Sequence, residues 1–416
     1  MKAVVLAAGE GKRLRPLTYT RPKCMIHLAG KPVLEHVLLA LKGAGVKEAV
    51  VVVKYLEDVV RKYFGDGRKL GMRLRFVTQG EEYGTAAAFL CAKELVEDEP
   101  FIGMAGDVIT EAGFVKRLVR EHDGEAITMG LKAVREPGEY GVAELRGSRV
   151  VAFEEKPASP RSNLVNASVY VFEPKVFPVL EKLQPTSRGE VEVTDAVREL
   201  CGRGEVKGVA GEEYWLDMGM PWHLFDANEF LLGRLRARAG KVENSTVKGK
   251  LIMEKGAVIH NSYVEGTVYV GADTSVGPHA FLRGTTSIGR ECDIGDSTTV
   301  KNSIIFDRVN AKHLTYIGDS IIGEGCNFGA GTQIANFRFD EAPVKAEVEG
   351  RVMDTMRTKL GAMIGDEVKT GVLSCIMPGK LVGDHSWIGA GVVVEQNIPR
   401  QTAVFAEQKL VFKKRE

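Results

Sequence analysis

Aliphatic residues recur every six positions through the second half of this 416-residue chain. They are Ile252, Val258, Val264, Val270, Val276, Leu282, Ile288, Ile294 and Val300. The row resumes after a phase shift at Ile322, Phe328 and Ile334, and closes with Ile376, Val382, Ile388 and Val394. A period of six matches neither the helical repeat of about 3.6 residues nor the two-residue alternation of a strand. It fits a hexapeptide-repeat parallel β-helix, in which each repeat supplies one short strand and one corner. Stacked coils then bury the aliphatic row as one continuous core. The first 230 residues lack this period and carry a glycine-rich turn, so two domains of different construction share the chain.

Length supports the division, because 416 residues exceed what a single compact core usually serves. Basic and acidic residues nearly balance, 56 against 55, which gives no bulk case for a nucleic-acid partner. The terminal KLVFKKRE is basic but short, and reads as a solvated end. No apolar run approaches the roughly 20 residues that span a membrane. The start, MKAVVLAAGEG, runs into a glycine-rich turn rather than a cleavage site, so a cytoplasmic protein is expected. Six cysteines are scattered without a CxxC pair, the pattern of buried reduced thiols rather than a zinc site or disulfide framework.

In the first part, apolar runs alternate with amphipathic segments. Strands are predicted over Lys2–Ala7, Ala49–Lys54, Leu74–Thr78 and Phe101–Ala105, with helices near Pro32–Ala44, Leu56–Phe64 and Ala86–Glu97. This alternation predicts an α/β, Rossmann-like sheet covered by helices on both faces, with ligands beyond the carboxyl ends of the strands. The expected boundaries are 1–230 for this domain, 231–244 for a linker helix and 245–416 for the β-helix, taken as left-handed. The segment near 222–238 is the helical connection. The six-residue phase breaks twice, at KNSIIFDRVNAKHLTY and again from Arg338 to about Leu360, and both breaks flank His313–Asn336. Insertions in a solenoid sit at its corners, often on a binding face.

LAAGEGKRLRPLT (Leu6–Thr18) directly follows the first strand. Gly9 and Gly11 let backbone amides approach a phosphate closely. Leu14 stands where a dinucleotide fingerprint needs its third glycine, and the Gly-Lys-Ser/Thr of a Walker loop is missing. Lys12, Arg13 and Lys23 surround the turn; an arginine forks onto phosphate oxygens, whereas a lysine acts as a point charge. The plain alternative is a glycine turn with solvated basic residues.

LAAGEGKRLRPLT followed by Arg21–Lys23 resembles the sugar-1-phosphate nucleotidylyltransferase family. Further resemblances follow in family order: QGEEYGTA (Gln79–Ala86), Ala105–Asp107, Glu139–Gly141, EEKP (Glu154–Pro157), VNAS (Val165–Ser168) and WLDMG (Trp215–Gly219). The resemblance implies that a sugar phosphate oxygen attacks the α-phosphate of a nucleoside triphosphate and releases pyrophosphate. That nucleophile is already anionic, so catalysis rests on positioning and charge neutralisation. It implies that Leu6, Ala8, Gly9, Gln79, Gly84 and Thr85 bind the nucleotide, and that Arg13 and Lys23 hold its triphosphate. Gln79 would read the base through its side-chain amide, a donor and an acceptor that match a pyrimidine, which favours UTP or dTTP. Gly141, Glu155, Lys156 and Asn166 would bind the sugar phosphate, with Glu154 competing for the role of Glu155. Asp107 and Asp217 would hold Mg²⁺, which suits few carboxylates and many phosphate or water ligands.

Lys312–Asn336, KHLTYIGDSIIGEGCNFGAGTQIAN, resembles the acetyltransferase half of the bifunctional UDP-N-acetylglucosamine pyrophosphorylase/glucosamine-1-phosphate acetyltransferases, most closely their archaeal-type branch. By this resemblance His313 is the base that frees an amino sugar for attack on acetyl-CoA; histidine titrates near neutral pH, as that step needs. Tyr316, Asn327 and Asn336 would position the acceptor, and Arg283, Lys301 and Lys359 would meet its phosphate. Acetyl-CoA would lie along the coils near Ala362, Ser374 and Ala390. Phe337-Arg338 departs from the bacterial-type pattern, so galactosamine-1-phosphate stands beside glucosamine-1-phosphate as acceptor. The family also implies a homotrimer acting on small molecules. The competing expectation is a monofunctional transferase whose β-helix is only structural; a regulatory or scaffold protein is a third, disfavoured by Arg13, Lys156 and both aspartates.

Overall fold

A computed structural model describes every residue except Glu97, Ser187, Arg188, Ala239 and Glu416. Glu97 ends the expected third helix, Ala239 falls in the expected linker and Glu416 ends the basic tail, so these positions lie outside the described residues. The chain divides into two compact units. The first holds Met1–Glu10, Arg21–Ile26 and Lys31–Met218, and the second holds Gly11–Thr20, His27–Gly30 and Gly219–Glu416.

The core of the first unit is a nine-stranded sheet, counted among the described residues. Its parallel part runs from Arg73–Thr78 at the edge through Glu48–Val53 and Lys2–Ala7 to Phe101–Ala105, and the last three are near-continuous apolar runs, as buried parallel strands require. Leu164–Phe172 then pairs antiparallel with Phe101–Ala105, and the sheet continues through Ile127–Ala133, Val206–Ala210, Arg149–Glu155 and Gly141–Arg146. Helices Val33–Gly43, Glu57–Phe64 and Thr85–Cys91 lie close to their predicted positions, while Lys93–Val96 forms a separate turn after the third. Two buried clusters, one built around Phe89, Phe101 and Phe172 and the other around Leu34, Leu38 and Phe114, cover opposite alternations of the strand Lys2–Ala7. Burial of each such side chain contributes roughly 1.5–3 kcal/mol.

The second unit is a stack of parallel coils. Ser275 pairs with Asp293 and Asp293 with Asn310, steps of 18 and 17 residues, so one coil holds three repeats of six or falls one short. That missing residue is the phase slip in the sequence. Core positions run Ile288, Ile305 and Ile322 on one side and Val300, Ile317 and Ile334 on another, each 17 residues apart. All members of the aliphatic row from Val264 onward are buried in one cluster. The first coil departs from the expectation. There Leu251, Met253 and Ile259 face the core, while Val258 is half-buried and Ile252 packs instead against Ala29, Leu232 and Tyr269. Buried hydroxyls at the corners, such as Ser303 to Lys301 and Ser320 to Gly318, satisfy main-chain carbonyls that short strands leave open. The charged excursion is a hairpin, Lys345–Val348 paired with Arg351–Asp354. The connecting helix spans only His223–Arg234, and Lys241–Glu243 is already a strand of the stack. The β-helix expectation and the mixed α/β expectation both describe what is found, with all coil-to-coil pairings parallel as in the left-handed form. No described helix is long and apolar enough to cross a membrane.

Candidate active sites

Asp107 stands just past the strand Phe101–Ala105. The short strand Trp215–Asp217 pairs antiparallel with Val108–Thr110, in a register that sets Asp217 opposite Val108. Residues more than a hundred positions apart are thereby brought side by side. Lys23 Nζ lies 2.5 Å from Asp107 Oδ2 and 3.7 Å from Asp217 Oδ1. Both carboxylates remain about a third exposed, so they converge on one accessible point. Among the described residues no group of three or more histidine, cysteine or acidic side chains is gathered. Two carboxylates and no nitrogen or sulfur donor suit a hard cation whose remaining ligands come from phosphate and water.

The end of the first strand flanks this point. The Gly106 amide donates to Leu6 O at 2.8 Å, and a methyl at Gly106 would sit 2.7 Å from that oxygen. Leu6 and Ala8 are half-buried, and Gly9 is exposed with open space around it. Gly11, not Gly9, takes the left-handed backbone that favours glycine, with φ 66°. Arg13 is exposed on the one-turn helix Lys12–Leu14.

The nucleotide loop differs from expectation at its central residue. Gln79 is buried and spends both amide hydrogens inside the loop, on Glu82 O at 2.9 Å and Gly84 O at 3.1 Å. Only Oε1 is left to meet a base, so Gln79 presents an acceptor and not the donor–acceptor pair expected of it. Gly84 is required by packing: its φ is 117° and a methyl would stand 2.2 Å from Val191 O. Thr85 opens the helix Thr85–Cys91 and accepts the Val193 amide at 2.8 Å.

The sugar residues gather on neighbouring strands. Gly141 and Glu155 are directly paired, and a methyl at Gly141 would lie 2.8 Å from Glu155 Oε2. Glu155 is therefore turned onto this glycine while Glu154 is exposed, which separates the two competing carboxylates. Asn166 sits at a bulge and donates from Nδ2 to Tyr170 Oη at 2.6 Å. Burial pushes the Tyr170 phenol well above its ordinary range, so it stays a hydrogen-bonding hydroxyl. Trp215 Nε1 donates to Ala167 O at 2.9 Å and its ring stands edge-on to Tyr140. Lys156 is exposed, in a left-handed backbone, next to this group. Tyr170 had no sequence signal beyond an aromatic in an aliphatic strand.

In the second unit, Arg283, Lys301 and Gly318 occupy the same register on three successive coils. Position 318 carries no side chain, and the column ends in a notch. A methyl there would lie 2.6 Å from Tyr316 Oη and 2.7 Å from Asn336 Nδ2, so both polar atoms hang over the glycine. Lys301 is largely buried and reaches Asp319 Oδ2 at 3.2 Å. Arg283 Nε is buried, with no hydrogen-bond partner among the described residues. Lys359 is exposed, pairs with Phe337 in an isolated bridge, and precedes Leu360, whose amide donates to Asn336 O. The structure thus gathers Arg283, Lys301, Tyr316 and Asn336, with Lys359 at the margin. His313 stands at a corner, its Nδ1 3.2 Å from Asp296 Oδ2, with both side chains more than half exposed. Asp296 was not singled out from the sequence, although it lies one 17-residue coil before His313. Asn327 belongs to the other sheet, between Asn310 and Lys369, and does not join the notch.

The expected acetyl-CoA residues divide. Ala362 is fully buried in the coil core, and Ser374 is buried with its hydroxyl donated to Gly371 O and Gly389 O. Their side chains point into the solenoid, which leaves only their main chain to face a ligand along its edge; Ala390 alone of the three is exposed.

A nucleotidyl-transfer centre on a mixed sheet, followed by a parallel β-helix, defines the class. The nucleotidyl transferase family model matches residues 2–234, and the chain belongs to that family. A second model, the GMPPB C-terminal domain, matches residues 264–374. The chain is similar from end to end to a bifunctional protein GlmU of Methanocaldococcus jannaschii, at 40% identity over 100% of both chains. A bifunctional sugar-1-phosphate nucleotidylyltransferase/acetyltransferase of Sulfurisphaera tokodaii is 38% identical over 96% of this chain and 98% of its own. A solved Bacillus anthracis structure named for glucose-1-phosphate thymidylyltransferase covers 58% of this chain and 98% of its own, at 26% identity and a TM-score of 0.52.

Proposed function

We propose that the chain is a bifunctional enzyme that acetylates an amino sugar 1-phosphate with acetyl-CoA and couples the product to UTP, giving UDP-N-acetylhexosamine and pyrophosphate. The observation that carries the second activity is the Gly318 notch, where a lysine, a tyrosine hydroxyl and an asparagine amide converge on a position without a side chain. A coil that served only packing would have no use for polar groups gathered over a glycine. The full-length similarity to bifunctional relatives supports the same reading.

In the first unit, Asp107 and Asp217 would hold Mg²⁺, which when bound neutralises phosphate charge. Lys23, 2.5 Å from Asp107, adds a cation at the same point. Gln79 Oε1 accepts the N3–H of a pyrimidine, which suits UTP and dTTP alike. Gly141, Glu155 and Asn166 seat the sugar, and Lys156 meets its phosphate. The attacking phosphate oxygen needs no base; the protein aligns it and offsets its charge.

In the second unit, His313 Nε2 takes a proton from the ammonium of the acceptor while Nδ1 donates to Asp296, which fixes the tautomer. Lys301 and Arg283 meet the sugar phosphate, and Tyr316 and Asn336 orient the ring. Glucosamine-1-phosphate and galactosamine-1-phosphate are the two candidate acceptors. Asn327 lies away from the notch of its own chain, which suits a homotrimer in which it serves a neighbouring copy. Acetyl-CoA runs along the solenoid edge beside Ala390.

The test is acetyl-CoA-dependent thiol release with each amino sugar phosphate. Release with either establishes the second activity and ranks the acceptors. No release, from protein that still forms a UDP-sugar from UTP, leaves a monofunctional transferase on a structural solenoid.

A further inference from the structure

Among the described residues, two of the four buried acidic residues of the coils, Asp307 and Asp366, serve the corners, while Asp384 takes the Arg400 guanidinium. Asp307 Oδ1 accepts the Arg290 amide at 2.8 Å, and Asp366 Oδ1 accepts the Glu324 amide at 2.8 Å. Each staples one coil to the next through the backbone. Asp319 behaves differently. It is buried, its backbone is left-handed with φ 47°, and among the described residues its carboxylate accepts no main-chain amide. Its side-chain partners are Lys301 Nζ at 3.2 Å, Asn302 Nδ2 at 3.2 Å and Asn336 Nδ2 at 2.5 Å. Two of the three are residues of the notch, from coils on either side.

We propose that Asp319 is the positioning residue of the acetyl-acceptor site, holding Lys301 and Asn336 in the arrangement that receives a sugar phosphate. This rests on the acetyl-transfer reading and adds a residue to it. The physical reason is entropy. A free lysine side chain surrenders rotamer freedom when fixed. Asp319 fixes Lys301 during folding, so the acceptor does not bear that loss on binding. Asn302 braces the carboxylate from behind, since its own Oδ1 accepts the Thr285 amide at 3.0 Å. Asp319 does not touch the acceptor; it acts through Lys301 and Asn336.

The sign of one substitution decides the matter. Asp319→Asn removes a negative charge beside a cation that must bind a phosphate. If Asp319 were only a neighbouring charge, its loss would strengthen that attraction and KM for the amino sugar phosphate would fall. If Asp319 positions Lys301 and Asn336, KM rises, because the new amide turns a donor toward donors. We expect KM to rise by about tenfold in Asp319→Asn with kcat changed less than threefold, and Asp319→Glu to recover part of the loss. Uridylyl transfer by the same preparations, in full-length protein, reports that the chain is folded. An unchanged or lowered KM in Asp319→Asn overturns the proposal. A wild-type chain without thiol release overturns the acetyl-transfer reading itself, which is a distinct outcome. Where Asp319→Asn fails to fold, a double mutant cycle with Lys301→Met, measured through Asp319→Glu, replaces it. Additive KM effects then overturn the proposal.

Discussion

The two units assemble their sites by opposite means. In the first, Asp107 and Asp217 meet through the two-stranded pair Val108–Thr110 and Trp215–Asp217, and Lys23 joins them from the one-turn helix Lys23–Met25, at sequence separations that follow no rule. In the second, Arg283, Lys301 and Gly318 meet because each lies one coil after the last, as does His313 after Asp296. A sheet site is written in topology, and a solenoid site is written in arithmetic. The consequence is a difference in tolerance. Loops around the first site can change length without moving the strand ends, whereas in the second only corners absorb a change in length, as the 17- and 18-residue coils show, and a residue added inside a strand would turn its neighbours to the other face.

The comparison breaks first if the two sites are not independent. Asp107→Asn is expected to lower uridylyl transfer by about 10³-fold, because one of only two carboxylates is lost, while thiol release stays within twofold. Parallel loss of both activities in folded protein would show one coupled machine. His313→Ala is the mirror experiment, with acetylation reduced by roughly 10²–10⁴-fold and uridylyl transfer unaffected. Normal acetylation by that variant removes His313 from the mechanism.

Gly318→Ala sharpens the arithmetic. The nearest atoms to the added methyl are Oη and Cε1 of Tyr316 and Nδ2 of Asn336, side-chain atoms and not backbone, so the melting temperature should fall little. The displaced groups should nevertheless lower acetylation by roughly 10- to 100-fold, as small misplacements do. A large drop in melting temperature would mean that the glycine serves the coil and not the notch. The smallest effect concerns the thiols. Burial raises Cys24 and Cys292 to about 12, one in each unit, so neither should be alkylated in native protein near pH 8. Half-buried Cys91 and Cys375 should react first. Early labelling of Cys24 or Cys292, followed by mass spectrometry, would expose local opening in the unit concerned.

Periodicity made the β-helix legible, since a six-residue aliphatic row has few structural explanations. It failed near the start of the row, where Ile259 replaces Val258 in the core. The motif residues of the first unit were legible as a set. What they do with their hydrogens was not: nothing in the sequence states that Gln79 spends its amide on Glu82 and Gly84. Partners such as Tyr170 and Asp296 were missed for the same reason, as bonding geometry carries no local pattern. The inward side chains of Ala362 and Ser374 were not legible because inward and outward positions of a coil differ by one residue, too fine a distinction for a motif to carry.

Coil spacing also makes the second unit a ruler. Adjacent strands in a sheet lie about 4.8 Å apart, so the column from Arg283 through Lys301 to Gly318 marks two graduations over roughly 10 Å. A ligand engaging the arginine and the notch together must have about that reach. Acceptors would then be sorted by length before their hydroxyl groups are read.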